Sequence, residues 1–455
     1  MCGLNLILGN SRNPKDLRLL NKGLAHRGLP GRSTLNSYFG GRVQLGHVRL
    51  PIQGLDSEND HPQQYGNLVG AFVGEIFNFR TFYPGASSDL PVILKEFDKE
   101  GPGAFQQFDG FWAVVLINLV QGLVHVLTDF LAKKPLYIRY DQGAFLISSE
   151  IGPLFHYHTV TPDEIYFAGV AKFGYYPGNR TPFTEIKKIP PDTHLIYNVR
   201  DNSLIQQHYD KISPNKSDLR AVLKMAIKNR LISDVPISLL LSGGLDSTII
   251  FELVKQETFD FTIFHVDNEE AEFLNYLKIP SVVRVIPLSL THIQLEEALH
   301  LNETPVDLGS VLPQLALAKA IKEQGFYVAM SGDGADELFG GYRRAQEYDS
   351  QYSDIFHELV YYHLPRLDKL MMSQTIELRC PYLSRPVIET ALTVPYEKRR
   401  SKEILRETFG DLVPKQILNR KKQPLRIAEM QENKMAWRLK LIKKFREMIW
   451  GQYVS

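Results

Sequence analysis

Residues 237–256 read ISLLLSGGLDSTIIFELVKQ, and this stretch decides the fold of the second half of the chain. Ile237 to Leu241 is a short apolar run, Ser242-Gly243-Gly244 interrupts it, and helical spacing begins at Leu245. Such a pattern is a buried strand that enters a glycine turn and then a helix. FTIFHV (261–266) reads as a second strand, and YVAMSGDG (327–334) as a third that runs into another glycine-rich loop. Strands alternating with helices predict a parallel sheet with helical crossovers. Parallel sheets bind ligands in the loops at the carboxyl ends of their strands, where both glycine loops fall. Just upstream, LRAVLKMAIKNRLI places apolar residues at 219, 222, 223, 226, 227 and 231, the spacing of an amphipathic helix.

Further toward the N-terminus the pattern changes. Apolar runs at 4–8, 42–50, 68–77, 111–119, 123–130, 135–140 and 145–150 are separated by polar and glycine-rich turns, which suggests packed antiparallel sheets. The run 111–127 is interrupted by Asn118, Gln121, Gly122 and His125, and reads as two strands around a turn rather than a membrane helix. YDKISPNKSD (209–218) has the polar, proline-containing character of a linker. The C-terminal stretch 434–452 is basic and amphipathic. It reads as a helix packing Met435, Leu439 and Ile442 onto the body, with a membrane-surface or partner helix as the alternative.

Composition narrows the class. The chain has 455 residues and a mass of 52.0 kDa, room for two or three domains. With 44% hydrophobic and 23% charged residues it is not a disordered chain. Its 52 basic and 51 acidic residues give a net charge of +1, so no charge bias points to nucleic acid. Two cysteines, Cys2 and Cys380, exclude a disulfide framework, argue against a Cys-rich zinc site, and fit a reducing, cytoplasmic setting. The N-terminus lacks the basic region of a signal peptide, and no membrane span is expected.

The two glycine loops carry the chemistry. In Ser242-Gly243-Gly244-Leu245-Asp246-Ser247, glycines let backbone N–H groups approach an anion, the helix N-terminus adds positive potential, and two hydroxyls donate. This suits a phosphate or pyrophosphate, with Asp246 better placed to hold a bridging magnesium ion. The sequence is not a Walker motif, and a tight strand–helix turn is the plain alternative. Ser331-Gly332-Asp333-Gly334-Ala335-Asp336-Glu337 then places three carboxylates within five residues. Such a cluster needs a cation or a proton to relieve it.

SGGLDS (242–247) together with SGDGADELFGGY (331–342) resembles the synthetase domain of glutamine-dependent asparagine synthetases, of the PP-loop ATP pyrophosphatase class. The N-terminal motifs Met1-Cys2-Gly3, His26-Arg27-Gly28, Gly46 to Leu50, Gly74 to Asn78 and Ser88-Asp89 are similar to a class II, N-terminal-nucleophile glutaminase domain. Lys133 to Tyr137, Ser149-Glu150, Glu377 to Leu383 and Lys402 to Arg406 match as well, in the family's order, to about residue 424. The resemblance implies an Ntn-hydrolase αββα sandwich over 1–207, a linker over 208–218, a parallel-sheet α/β synthetase domain over 219–424 and a basic tail over 425–455. It further implies ATP and Mg2+ as cofactors and small-molecule substrates, and it leaves open whether the protein is a homodimer, as family members often are.

Residue by residue, the resemblance makes Cys2 the nucleophile once Met1 is removed, with its own α-amine as base. Arg49 would bind the glutamine carboxylate, Asp89 its α-amine, Glu75 would join the pocket, and the Gly74 N–H would face the oxyanion. Leu241, Ile263 and Gly332 fall where the family's backbone contacts the nucleotide, and Ser331 joins them. Ser242, Gly243, Gly244, Asp246 and Ser247 would hold pyrophosphate, and Asp246 and Asp336 the metal. Lys402 would stabilise departing pyrophosphate, and Asp333 would accept a proton from attacking ammonia. An internal passage for ammonia is implied.

Departures fall at Val73, where the family has an oxyanion-binding Asn, at Thr128 to Ala132, at the Leu29-Pro30 ending of HRGLP, at Phe264 and at Pro424-Leu425 after the basic run Asn419 to Gln423. Val73 implies a slow or regulated glutaminase with free ammonia as a substitute donor. The expected reaction converts aspartate, glutamine or ammonia, and ATP into asparagine, AMP and pyrophosphate through a β-aspartyl-adenylate. Amidation or ring closure on another carboxylate, a sugar acid or a peptide, is the alternative. A regulatory nucleotide-binding relative is the third reading, and the paired Asp246 and Asp336 argue against it.

Overall fold

The computed structural model describes residues 2–9, 14–156, 159–307, 309–342, 357–420 and 434–453. The first half folds on strands β1 (Gly3–Gly9), β2 (Ser33–Tyr38), β3 (Val43–Val48), β4 (Gln63–Tyr65), β5 (Leu68–Ile76), β6 (Gly110–Asn118), β7 (Leu123–Thr128), β8 (Tyr137–Asp141), β9 (Ala144–Ser148), β10 (Ile186–Lys188), β11 (Thr193–Asn198) and β12 (Leu204–His208). They form two antiparallel sheets, ordered β10-β8-β9-β1-β3-β2 and β12-β11-β7-β6-β5-β4.

Period-2 alternation builds the layers. Leu4, Leu6 and Leu8 of β1, Val69, Ala71 and Val73 of β5, and Ala113, Val115 and Ile117 of β6 meet in one core between the sheets. The intervening residues Leu68, Phe72 and Ile76 of β5, with Trp112, Val114 and Leu116 of β6, face the helix Leu90–Glu100 through Leu90, Ile93, Leu94 and Phe97. On the far side Ile7 and Leu146 pack with Leu17 and Leu20 of the helix Pro14–Gly23 and with Phe167 and Val170 of the helix Glu164–Phe173. The result is the αββα sandwich expected from the sequence.

Residues 209–218 carry neither helix nor strand. The helix Leu219–Arg230 follows, and then β13 (Ile237–Leu240), β14 (Thr262–Val266), β15 (Arg284–Leu288), β16 (Val328–Met330) and β17 (Glu377–Arg379). These form a parallel sheet ordered β15-β14-β13-β16-β17. The helix Leu245–Val254 is buried on almost every side, which explains its uninterrupted apolar composition. The Phe264 ring is turned into this core, edge-on to Phe326 at 5.0 Å.

The tail expectation needs correction. Residues Lys434–Tyr453 are helical, but the buried face is Leu441, Ile442, Phe445 and Ile449, packed near Phe167 and Leu299. Met435 and Leu439 are about half exposed, at 50% and 51%. Arg438 occupies the inward position instead, bonded to Asp307 at 2.7 Å and to the Lys172 carbonyl at 2.7 Å. The adjoining Leu439 is thereby rotated outward. The apolar face is used within the protein. Lys421 to Gln423 and Pro424-Leu425 lie outside the described residues.

The two halves are joined by buried charge. Arg27, with no exposed surface, bonds Glu150 at 2.8 Å within the sandwich and Asp368 at 2.8 Å across the joint. Asp368 also takes Lys134 at 2.6 Å. Despite burial, Arg27 and Lys134 hold the Asp368 carboxyl below the usual carboxylate range. Burial alone would raise Glu150, yet His26 and Arg27 hold it down at about 2. Both folded-state values are depressed, so the stability they supply is complete above the ordinary carboxylate range and disappears as pH falls through the folded values. Replacing Asp368→Asn leaves buried Lys134 without its carboxylate and buried Arg27 with Glu150 alone. Urea unfolding at pH 7 should show a loss of about 3–5 kcal/mol, and the variant's stability should fall less steeply with acid than that of the unaltered protein.

Candidate active sites

Cys2 immediately precedes β1 and is 6% exposed, in the core with Leu4 and Val73. Its carbonyl accepts a hydrogen bond from Arg27 Nε at 3.1 Å. Burial pushes the thiol pKa up, so a nucleophilic sulfur here depends on a base. Beside it Val73-Gly74-Glu75 lies near the end of β5. Gly74 has φ +145°, and a Cβ would lie 2.0 Å from the Phe111 carbonyl oxygen, so no other residue fits. The Glu75 carboxylate accepts from Gln53 Nε2. Burial, with Glu377 and Asp89 nearby, raises its pKa well above the usual value. Asp89 accepts the Ile76 N–H at 3.0 Å, and burial lifts its pKa to about 6. Arg49 is occupied with the 53–60 loop: it donates to the carbonyls of Gln53 at 2.8 Å, Gly54 at 2.7 Å and Asp56 at 3.2 Å, and to Asp60 Oδ1 at 2.9 Å.

The two glycine loops lie at the carboxyl ends of β13 and β16, where strand–helix alternation put them. Ser242 Oγ and Ser247 Oγ are 3.1 Å apart, with the Ser242 N–H on Ser247 Oγ at 3.3 Å. Leu241 and Ile263 are buried beneath the loop, and the Leu241 N–H bonds the Phe264 carbonyl at 2.9 Å. Gly332 brings the second loop against the first: a Cβ there would lie 3.0 Å from Asp246 Cβ and 3.2 Å from the Ser247 nitrogen. Ser331 Oγ donates to Asp333 Oδ2 at 2.7 Å.

Asp246 and Asp336 both bond Lys402 Nζ, so the two carboxylates converge on one point. They hold the Lys402 ammonium well above its usual range despite burial. Lys402 and Ser401 take left-handed backbone angles, φ +60° and +56°, a strain of about 1–3 kcal/mol per residue kept where Lys402 is clamped. Convergent carboxylates beside a loop of N–H and hydroxyl donors fit Mg2+ with a phosphate. Behind them burial and Asp336 push Glu337 up to about 7, and Tyr342 OH bonds its carboxylate at 2.6 Å.

A cavity of about 30 Å3 lies between the sites, lined among others by Phe111, Lys133, Lys134, Asp368, Cys380 and Leu383. The sequence motifs contain most of these residues without revealing that they face one space. Gln53, which bonds Glu75 from a loop, carries no local signal, and Glu377, visible as the start of the Glu377 to Leu383 motif, gives no sign in the sequence that it bears on Glu75 from the other half of the chain.

An antiparallel sandwich that begins at a buried cysteine, joined to a parallel sheet with two glycine loops, defines a glutamine amidotransferase coupled to a nucleotide-using synthetase. Residues 1–210 match the family model described as glutamine amidotransferase domain, and residues 218–357 and 348–447 match the asparagine synthase model. The chain belongs to the asparagine synthase family. It is similar to glutamine-hydrolysing asparagine synthetase B of Escherichia coli strain K12, at 25% identity over 89% of this chain and 77% of that one. It is also similar to the glutamine-hydrolysing asparagine synthetases of Brassica oleracea, at 24% over 93% and 77%, and Arabidopsis thaliana (number 1), at 26% over 93% and 77%.

Gly341 is the tightest contact of the second site: a Cβ would lie 1.9 Å from Asp336 Oδ1 and 2.3 Å from Lys402 Cε. Gly341→Ala is therefore expected to lower the unfolding free energy by about 1–3 kcal/mol. Gly85→Ala, where a Cβ meets nothing within 4 Å, should change it by less than about 0.5 kcal/mol. Parallel denaturant titrations compare the two.

Proposed function

We propose that this protein makes asparagine from aspartate, using glutamine as nitrogen donor and ATP to activate the acid. The observation that carries the reading is the pairing, in one chain, of the Cys2–Gly74 pocket with the Asp246–Asp336 site across a shared internal cavity. Cys2 attacks the glutamine amide carbon, its thiol proton passing to the chain's own α-amine after Met1 is removed; the C–N bond then breaks, that proton leaves with ammonia, and water hydrolyses the thioester to glutamate. The Gly74 N–H faces the developing oxyanion. Asp89 holds the α-ammonium, Glu75 completes the pocket, and Arg49 takes the α-carboxylate by releasing the 53–60 loop.

In the second site Ser242, Gly243, Gly244 and Ser247 cradle the phosphates, with Ser331 and the backbone of Leu241, Ile263 and Gly332 along the nucleotide. Asp246 and Asp336 would hold Mg2+, which when bound offsets charge on the phosphates. Lys402 then turns from the carboxylates to the departing pyrophosphate. Asp333, oriented by Ser331, takes a proton from ammonia as it attacks the aspartyl-adenylate. The cavity lies on the route from Cys2 to that adenylate. A reducing, cytoplasmic setting suits a catalytic thiol.

The deciding experiment supplies ATP, magnesium, aspartate, amide-15N glutamine and unlabelled ammonium, and reads products by mass spectrometry. Asparagine and pyrophosphate in equal amounts are expected, and Asp246→Asn should abolish both while glutamine hydrolysis persists. Pyrophosphate without asparagine would move the reading to another carboxylate.

Val73 is 1% exposed and supplies no donor beside Gly74. Val73→Asn should raise the glutaminase kcat by about a hundredfold, leave ammonia-dependent synthesis unchanged, and cost about 1–3 kcal/mol for a buried amide. An unchanged glutaminase rate in a folded variant would place the limitation elsewhere.

With Asp89 at about 6, its carboxylate is charged above that pH and neutral below it. The kcat/KM for glutamine should therefore fall about tenfold per pH unit below 6, and Asp89→Asn should remove that limb along with most glutamine binding.

A further inference from the structure

The cavity between the two sites is lined by the ammonium of Lys133, which the reaction outlined above does not use. At its glutaminase end stands Phe111, whose carbonyl oxygen closes on Gly74. At its synthetase end stand Cys380, with Sγ 3.7 Å from Ser331 Oγ, and Leu383, whose side chain abuts Gly334 of the acidic loop. Lys133 bridges the ends: its Nζ donates to the Leu383 carbonyl and lies 5.8 Å from the Phe111 ring centroid and 5.6 Å from that of Phe130.

The other charges around the cavity are matched. Lys134 bonds Asp368, which also bonds Arg27. Asp109 pairs with Arg230 at 3.0 Å. Asp129, the carboxylate nearest Lys133 along the chain, accepts backbone N–H bonds from Leu131 at 2.8 Å, Lys133 at 3.0 Å and Trp112 at 3.1 Å. Lys133 sits against a backbone carbonyl. Burial, with Arg230 nearby, lowers its pKa to about 8, so it is charged at neutral pH.

We propose that Lys133 makes this cavity a filter that passes neutral ammonia and turns away ammonium. The inference rests on the proposed function above and assigns the passage a specificity-determining residue. A lysine ammonium offers donors and no acceptor. Ammonia brings a lone pair and can accept from it. Ammonium brings four donors and a like charge, and the acceptors on this wall are already engaged, Asp368 by Lys134 and Arg27 and the Leu383 carbonyl by Lys133 itself, so in a space of this size little replaces its hydration. Nitrogen therefore reaches the adenylate as the unprotonated nucleophile that the reaction needs.

Potassium tests this directly, because it matches ammonium in charge, is close to it in size, and has no proton to lose. The readout is asparagine formed per glutamate released with glutamine as sole nitrogen source, in potassium chloride against choline chloride. The unaltered protein should give the same ratio in both salts. Lys133→Met, similar in length and uncharged, should give a ratio about tenfold or more lower in potassium chloride, and Lys133→Arg should behave like the unaltered protein. Glutamine hydrolysis measured alone shows that each variant is folded, and Lys133→Gln is read in the same way where Lys133→Met does not hydrolyse glutamine. A salt-independent ratio in an uncharged variant that still hydrolyses glutamine would overturn the filter and leave the proposed function standing. If the unaltered protein makes no asparagine, the proposed function falls and the filter falls with it.

Discussion

The joint depends on one buried guanidinium. Arg27 lies in a short turn after the helix Pro14–Gly23, yet its three contacts reach the cysteine at the start of β1, the carboxylate of Glu150 after β9, and Asp368 in the other half of the chain. A planar fork suits this task, because it can direct donors along different edges at once while staying charged at every relevant pH. The arrangement ties the position of Cys2 to the docking of the two halves. Lys134 and Glu303 extend the same logic: Lys134 shares Asp368, and Glu303 accepts the N–H groups of Ile151 at 2.9 Å and Gly152 at 2.6 Å while pairing with Lys369 at 2.8 Å. Buried ionic joints of this kind contribute little net stability over an apolar joint, but they are costly to misalign. That property suits two sites that must share one cavity.

The same local chemistry made much of the architecture readable. Glycine after an apolar run announced both loops of the synthetase site, and alternation announced the strands whose two faces fill two different cores. What stayed hidden depends on distant partners. β17 is Glu377-Leu378-Arg379, and its first and last residues form a fully buried ion pair; a strand with charged ends has no local apolar signal. β15 contains Pro287 and shows exposed Arg284 and Val285, as an edge strand does. The inward face of the C-terminal helix was set by Arg438 reaching Asp307, a pairing that hydrophobic spacing could not show. Lys133 and Lys134 were visible as a family motif, but their place on a cavity wall follows from the way the two halves dock.

Val73 shows how one strand serves two demands. β5 alternates between the core of the sandwich and the helix layer, and position 73 falls on the inter-sheet face beside Cys2. Valine there adds to the core around Cys2, whereas a side-chain donor would bring a polar group into an otherwise apolar cluster. Gly74 has no such latitude, because the Phe111 carbonyl fills the space a side chain would need. The backbone at Gly74 is thus held by sterics, while the side chain at 73 serves packing.

A related economy governs the synthetase site. Two carboxylates brought together for a cation repel one another until a cation is present. Here Lys402, held in a left-handed backbone conformation, places its ammonium between Asp246 and Asp336. The strain at Ser401 and Lys402 and the close approach of Gly341 belong to the same device, since a relaxed backbone or a bulkier residue would not bring the ammonium to both oxygens. In the proposed reaction, Lys402 would be released from both partners when Asp246 and Asp336 hold Mg2+, and left for an anion within reach. The charge that pairs the two carboxylates here would then be the charge that the proposed reaction brings to its leaving group, with no separate residue for either role.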